Sequence, residues 1–142
     1  MKKSLILLIS LFMILFTGCG SSDNVGTAYA EVNVEEGITF TLKEDTLKTA
    51  GATFVLTNNT EAAANYSAKE YHLEQMKDGQ WQEFAGTAQS SWSDETATLE
   101  VGESIELSYN WKNFCGATAK GTQYRLIIMV NESPVAVEFT GA

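Results

Sequence analysis

The sequence predicts an all-β domain, an antiparallel β-sandwich of seven or eight short strands. Apolar and polar residues alternate with a period of two in the runs 38–42, 105–111 and 135–139. That period places one face of each strand in a core and the other in water. Turn residues separate the apolar runs at short intervals, the chain contains a single proline, and no segment reads convincingly as a helix.

The first half of the domain contains four predicted strands. Ile38–Leu42 alternates strictly, and Phe54–Thr57 runs into an Asn-Asn-Thr turn. Tyr71–Lys77 and Trp81–Phe84 flank Asp78-Gly79, a pair that tolerates positive φ and is typical of a two-residue hairpin. Residues 61–70 could hold one helical turn, but their position favours a loop or the start of a strand.

The second half contains the remaining strands. Thr98–Val101 leads through a Gly-Glu turn into Ile105–Trp111, which alternates over its whole length. Gln123–Val130 reads as a strand, and the segment Asn131–Pro134 joins it to the last strand, Val135–Phe139.

The strand Gln123–Val130 breaks the alternation because Ile127 and Met129 put apolar groups on its second face. Two interpretations follow. Either the preceding tether or the segment 25–34 covers this face, or the face is an exposed apolar strip that docks a partner.

The N-terminus has the parts of a bacterial lipoprotein signal. Lys2 and Lys3 precede an uncharged apolar run, Leu5–Phe16, which is too short to span a bilayer of about 30 Å. Gly18 and Cys19 end the stretch Leu-Phe-Thr-Gly-Cys, which has the form of a lipobox. We therefore expect cleavage after Gly18 and attachment of lipid to the sulfur of Cys19.

These features divide the chain into a signal peptide at 1–18, a lipidated tether at 19–27 and a β-sandwich domain at 28–142. The expected location is the extracytoplasmic face of the cell membrane, with the lipid anchor as the membrane contact. Two or more acyl chains anchor stably where one is marginal.

The charge of the chain limits its partners. Removing residues 1–18 takes away two lysines and no acidic residue, which moves the formal charge from −9 to −11. Such a protein is repelled by phosphate, and this argues against nucleic acid as a partner. Acyl chains, not a basic patch, must then hold it at a membrane.

No group of residues predicts catalysis. The one histidine, His72, would have to meet Ser91 or Cys115, and no nucleophile motif surrounds either residue. If Cys19 carries lipid, Cys115 has no second cysteine to pair with, and it is either a reactive thiol or a small buried apolar residue. The acidic pairs lack calcium-loop spacing. We expect no catalytic residue, no metal site and no cofactor.

Trp92 is the aromatic residue that the strand pattern does not explain. It lies in the polar stretch Gln89–Glu95, which has no alternation that would bury it. It is either exposed, as tryptophans at binding hot spots are, or folded over the edge of the sandwich. An exposed Trp92 would contact a protein or a sugar, and in sugar binding it would act with Tyr66.

Several segments, in this order and spacing, resemble the bacterial immunoglobulin-like domains of small lipoproteins from Gram-positive, clostridia-like bacteria. The segments are Phe54–Thr60, Tyr71–Trp81, Leu99–Ser104, Tyr109–Trp111 and Gly121–Arg125. The resemblance covers about residues 37–130. It implies an immunoglobulin-like β-sandwich at the cell surface, and it carries over no catalytic residue.

A looser similarity to proteinase inhibitors of the BsuPI type offers a second hypothesis. An exposed loop such as Ala88–Ala97 would then occupy a protease cleft. The sequence therefore favours a surface-anchored binding or structural module that meets an extracellular protein or glycan. Proteinase inhibition and carbohydrate binding through Trp92 and Tyr66 are the alternatives.

Overall fold

The computed structural model describes residues 26–84 and 92–142, which form two antiparallel sheets packed face to face. Gly18, Cys19 and the predicted signal peptide lie outside the described residues, as does the tether up to residue 25. The described part contains nine strands: β1 (Ile38–Leu42), β2 (Gly51–Asn58), β3 (Ala64–Ser67), β4 (His72–Lys77), β5 (Gln80–Glu83), β6 (Thr96–Leu99), β7 (Ser104–Asn110), β8 (Gln123–Val130) and β9 (Ser133–Thr140).

The first sheet has the strand order β1-β2-β7. Strand β2 lies in the middle, with Phe54 opposite Leu42 of β1 and Leu107 of β7. Every second residue of β2 is buried, which is the period-two pattern that the sequence predicts. Strand β7 is an edge of this sheet.

The second sheet is built around β8. Strand β9 pairs along one side of it, and the other side is shared by two strands that follow each other in the chain. Strand β4 pairs with the first half of β8, with His72 opposite Ile127, and β3 pairs at its end, with Tyr66 opposite Val130. Strands β5 and β6 extend the sheet beyond β4 and β3. The sheet therefore has a break at residues 68–71.

Aromatic rings from both sheets fill the core. Phe139 packs against Phe54, Trp111 and Tyr124, with ring centroids 5.6 to 6.0 Å apart. The polar atoms of these rings have partners: Trp111 Nε1 donates to the carbonyl of Thr49 at 3.0 Å, and Tyr124 Oη accepts from the backbone N–H of Ala119 at 2.9 Å. Burial of these rings stabilises the fold.

Two tight hairpins connect neighbouring strands of the second sheet. Asp78 and Gly79 have φ of 52° and 75°, which confirms the predicted hairpin between β4 and β5. Asn131 and Glu132 have φ of 49° and 66° and connect β8 to β9. This connection is shorter than the predicted Asn131–Pro134, because Ser133 and Pro134 already pair with β8.

The structure adds one strand and two short helical turns to the prediction. The ambiguous stretch 61–70 contains β3, which makes nine strands in the described residues in place of seven or eight. A 3₁₀ turn at Glu44–Thr46 and α1 (Lys112–Cys115) are each a single turn, too short to produce a periodic pattern. In the described ranges, no helix has the length and apolar character needed to cross a membrane.

The chain before β1 lies across the outer face of β8. Gly26 pairs with Gln82 of β5, and Asn33 exchanges side-chain hydrogen bonds with the backbone of Ala136 in β9 at 2.7 and 3.0 Å. Beneath this segment Ile127 is completely buried. Coverage by the N-terminal segment is therefore confirmed at Ile127, and an exposed docking strip there is wrong. Met129, the other apolar residue of this face, is only partly buried and lines a groove.

A buried ion pair lies under the same segment. Arg125 Nε donates to Glu74 Oε2 at 2.6 Å, and both side chains are at least 95% buried. One of its two terminal nitrogens, Nη2, donates to Thr27 Oγ1 at 3.0 Å and to the carbonyl of Tyr29 at 2.9 Å. The guanidinium carbon lies 4.8 Å from the centre of the Trp81 ring. The ion pair and the hydrogen bonds of Arg125 therefore connect β4, β8 and the N-terminal segment.

Glu74→Gln should lower the free energy of unfolding by about 3 kcal/mol, because Arg125 would remain buried without an opposite charge. Glu106→Gln is the matched control, since Glu106 pairs with Lys43 at the surface, where both side chains are more than 40% exposed. It should cost less than about 1 kcal/mol. Guanidinium chloride unfolding measures both variants, and equal small losses would contradict the role given to Arg125.

Candidate functional site

An aromatic groove lies where the edge of β7 meets the break between β3 and β4. Its volume is about 550 Å³. Four aromatic side chains line it, and four polar residues accompany them. The aromatic residues are Tyr71, Trp92, Tyr109 and Phe114, and the polar residues are Lys69, Ser93, Ser108 and Asn110.

Each aromatic residue comes from a different local element. Tyr71 directly precedes β4, Tyr109 is the last inward-facing residue of β7, and Phe114 lies on the single turn α1. The Tyr71 ring is 4.8 Å from that of Tyr109 and 5.0 Å from that of Trp92. Tyr71 Oη also donates to the carbonyl of Asn110 at 3.4 Å. Tyr71 is therefore the centre of the cluster.

Phe114 gives the groove an open apolar side. Its side chain is 53% exposed, although its ring lies 5.9 Å from that of Trp92 and 6.5 Å from that of Tyr71. A large aromatic residue that is half exposed beside a groove offers apolar contact area to a ligand.

Two buried donors of the groove lack acceptors. Trp92 Nε1 and Tyr109 Oη are buried, and neither has a hydrogen-bond partner among the residues that the structure describes. A buried polar group without a partner costs about 1–3 kcal/mol. By contrast, the matching atoms of Trp111 and Tyr124 are paired in the core. The groove therefore combines aromatic packing with unmet hydrogen-bonding capacity.

The tyrosines of the groove stay protonated over the physiological range. Burial raises the pKa of Tyr71 to about 12, and the nearby Cys115 adds to this effect. Burial also raises the pKa of Tyr109, with Tyr66 and Tyr71 contributing. Both phenols are therefore neutral and keep a proton that they can donate.

The structure separates the two predicted ligand contacts. Trp92 is partly buried and folds over the sandwich edge onto Tyr71 and Phe114, which confirms that alternative for its packing. Tyr66 lines a neighbouring groove of about 650 Å³, and Ser93 lies between the two. Contact of Trp92 or Tyr66 with a ligand stays a prediction.

The remaining chemistry-bearing residues do not assemble with the groove into a reactive site. His72 Nε2 bonds to Glu70 Oε1 at 2.8 Å, and its ring packs 5.3 Å from that of Tyr29 and 6.2 Å from that of Trp92. Cys115 is buried in the core cluster, and Ser91 lies outside the described residues. Within 26–84 and 92–142, no group of three or more His, Cys, Asp or Glu residues is arranged to hold a metal ion.

Sequence reasoning found Trp92 but missed Tyr71, Tyr109 and Phe114 as its companions. Tyr109 follows the alternation of β7 and is therefore assigned to the core by pattern alone. Phe114 follows the predicted strand Ile105–Trp111, and an apolar residue beyond the end of a strand was the only hint of its role. The groove depends on contacts between residues 71, 92 and 114, which are far apart in the chain.

A family model described as a bacterial Ig-like domain matches residues 34–140, a range that contains all nine strands of the described structure. A search of curated proteins finds no match.

Tyr109→Phe should leave the free energy of unfolding unchanged or raise it by up to about 1 kcal/mol, because the variant removes a buried hydroxyl that has no partner. Tyr124→Phe is the matched control: it leaves the N–H of Ala119 without its acceptor and should cost about 1 kcal/mol. Both are measured by guanidinium chloride unfolding. A loss at Tyr109→Phe as large as that of the control would show that its hydroxyl is bonded.

The protein should lose stability as the pH rises above 10. The pKa of Tyr71 rises from 10.0 to about 12 on folding, and that of Tyr109 also rises. As the pH rises, the unfolded chain therefore loses these protons before the folded protein does. The contribution of the two tyrosines to the free energy of unfolding is complete below pH 10 and declines towards pH 12. The free energy of unfolding measured from pH 9 to pH 12 checks this. The free energy of unfolding of Tyr109→Phe should decline less steeply with pH than that of the parent protein. Identical slopes for the two proteins would contradict the raised pKa of Tyr109.

Proposed function

Because the chain belongs to the bacterial immunoglobulin-like domain family, we propose that it is a non-catalytic binding module held at the extracytoplasmic face of the cell membrane by lipid on Cys19. The family suggests a structural or binding role without catalysis. The anchoring is inferred from the lipobox ending in Gly18 and Cys19.

The observation that supports binding, over a purely structural role, is the pair of unpartnered donors in the aromatic groove. Native cores rarely leave such atoms unpaired, and those that remain call for an explanation. Trp92 Nε1 and Tyr109 Oη lie together with a half-exposed phenylalanine in one groove. A ligand that supplies acceptors to these donors explains all three features.

The N-terminal segment would keep the domain close to the membrane. Gly26 is already paired with β5, so seven residues, 19–25, connect the proposed lipid to the fold. A chain of seven residues reaches at most about 25 Å when fully extended. The ligand of the groove would then be a component of the envelope or of its immediate surroundings.

Proteinase inhibition through Ala88–Ala97 gains no support from the described part of that segment. Thr96 and Ala97 belong to β6, where they pair with Ser67 and Tyr66. Trp92 packs against Tyr71 in the aromatic groove, and residues 88–91 lie outside the described structure. We therefore propose binding through the groove and not inhibition through this segment.

Cys19→Ala tests the anchor. The variant should accumulate as an unlipidated precursor that retains residues 1–18, whereas Cys115→Ala, which changes the other cysteine of the chain, should be lipidated normally. Membrane fractionation with mass spectrometry of the N-terminal peptide distinguishes the two. A processed Cys19→Ala protein that still remains in the membrane fraction would refute lipid attachment.

Phe114→Ala tests the groove. A lipid-free chain that starts at Gly20 should co-sediment with isolated bacterial envelopes. Phe114→Ala should lower its affinity for the envelopes about 5- to 10-fold, because aromatic contact area is lost. Val101→Ala is the control, since Val101 is similarly exposed, at 56%, but does not line the groove. Equal sedimentation of both variants and the parent chain would contradict a binding role for the groove.

A further inference from the structure

The open side of the aromatic groove suits a ring with an apolar face. Phe114 exposes about half of its side chain beside Trp92, and the face of an aromatic ring carries partial negative charge. The C–H groups on one face of a pyranose ring carry slight positive charge and match such a surface. A sugar ring can therefore stack on Phe114.

The polar residues around the groove carry little unbalanced charge. Ser93 and Asn110 are exposed, and their hydroxyl and amide groups both donate and accept hydrogen bonds. Lys69, which lines the groove, forms an ion pair with Glu95. The chain as a whole has a formal charge of −9. Neutral hydroxyl groups fit this surface, whereas an anionic ligand would be repelled.

The unpartnered donors require hydrogen-bond acceptors, which sugar hydroxyl oxygens supply. A hydrocarbon ligand would leave Trp92 Nε1 and Tyr109 Oη without hydrogen-bond partners, whereas a hydroxyl oxygen can accept a hydrogen bond from either atom. Both atoms are buried, so a sugar hydroxyl would reach them only if the half-exposed Phe114 ring, 5.9 Å from that of Trp92, moved aside. Exposed side chains change rotamer in picoseconds to nanoseconds.

An extended peptide fits the groove less well than a ring does. A peptide that joins a sheet edge pairs along the length of a strand. The groove contacts only Ser108–Asn110 of β7, and the carbonyl of Asn110 already accepts from Tyr71 Oη. A compact ligand that makes few backbone contacts matches this short stretch of edge.

We propose that the aromatic groove binds a pyranose ring of a neutral glycan, stacked on Phe114, with sugar hydroxyls accepting from Trp92 Nε1 and Tyr109 Oη. This inference rests on the proposed function, since it names the ligand class of the same site. Tyr66, in the neighbouring groove, lies outside the ring-binding contacts.

The test is an NMR titration of the ¹⁵N-labelled chain that starts at Gly20, followed at the indole N–H resonances. The probes are three neutral trisaccharides, N-acetylchitotriose, cellotriose and maltotriose, together with a proline-rich peptide. At least one trisaccharide should shift the Trp92 resonance saturably. The Trp111 resonance should not move, because its N–H is bonded to Thr49 in the core. Phe114→Ala should raise the Kd about 10-fold, Tyr109→Phe about 5-fold, and Val101→Ala not at all.

The outcomes separate this inference from the function on which it rests. If no trisaccharide shifts Trp92, or if only the peptide does, the glycan assignment is overturned. Envelope binding that still depends on Phe114 would then leave the proposed binding function intact. If saccharides bind with equal affinity to Phe114→Ala, the stacking site is wrong even though the protein binds sugar.

Discussion

Burial of β8 on both faces is the constraint on which the rest of this structure depends. Its inner face contributes Tyr124, Leu126 and Ile128 to the core, and its outer face is covered by the segment that precedes β1. A charged residue on such a strand must find an opposite charge without water. Arg125 does so through Glu74, and this pair fixes both the register of β4 and the path of the N-terminal segment.

The same strand creates the opening in which the candidate site lies. One side of β8 is too long for β4 alone, so β3 pairs with its end and the sheet is interrupted at residues 68–71. Aromatic side chains from four parts of the chain close this interruption. Among residues 26–84 and 92–142, two buried side-chain donors at the interruption have no partner. The proposed ligand would bind at this interruption of the sheet.

The strands could be predicted from the sequence because their patterns are local. Gln123–Val130 has the predicted bounds, and the Asp78-Gly79 hairpin follows from the φ angles that these residues tolerate. The Glu74–Arg125 pair could not be predicted, because 51 residues separate its members and only the strand register brings them together. The groove was predictable only in part: Trp92 stood out for its polar surroundings, but its neighbours Tyr71 and Phe114 depend on where β4 and α1 lie in space.

The central claim is that the aromatic groove is a binding site and not a completed part of the core. Hydrogen exchange of the indole N–H groups in the ligand-free protein tests it most directly, because bonded and unbonded donors differ in protection. Trp111 Nε1–H should exchange only on global unfolding, since it is bonded to Thr49. Trp92 Nε1–H should exchange at least about 100-fold faster, through local motion of the groove. Equal protection of the two would contradict the account.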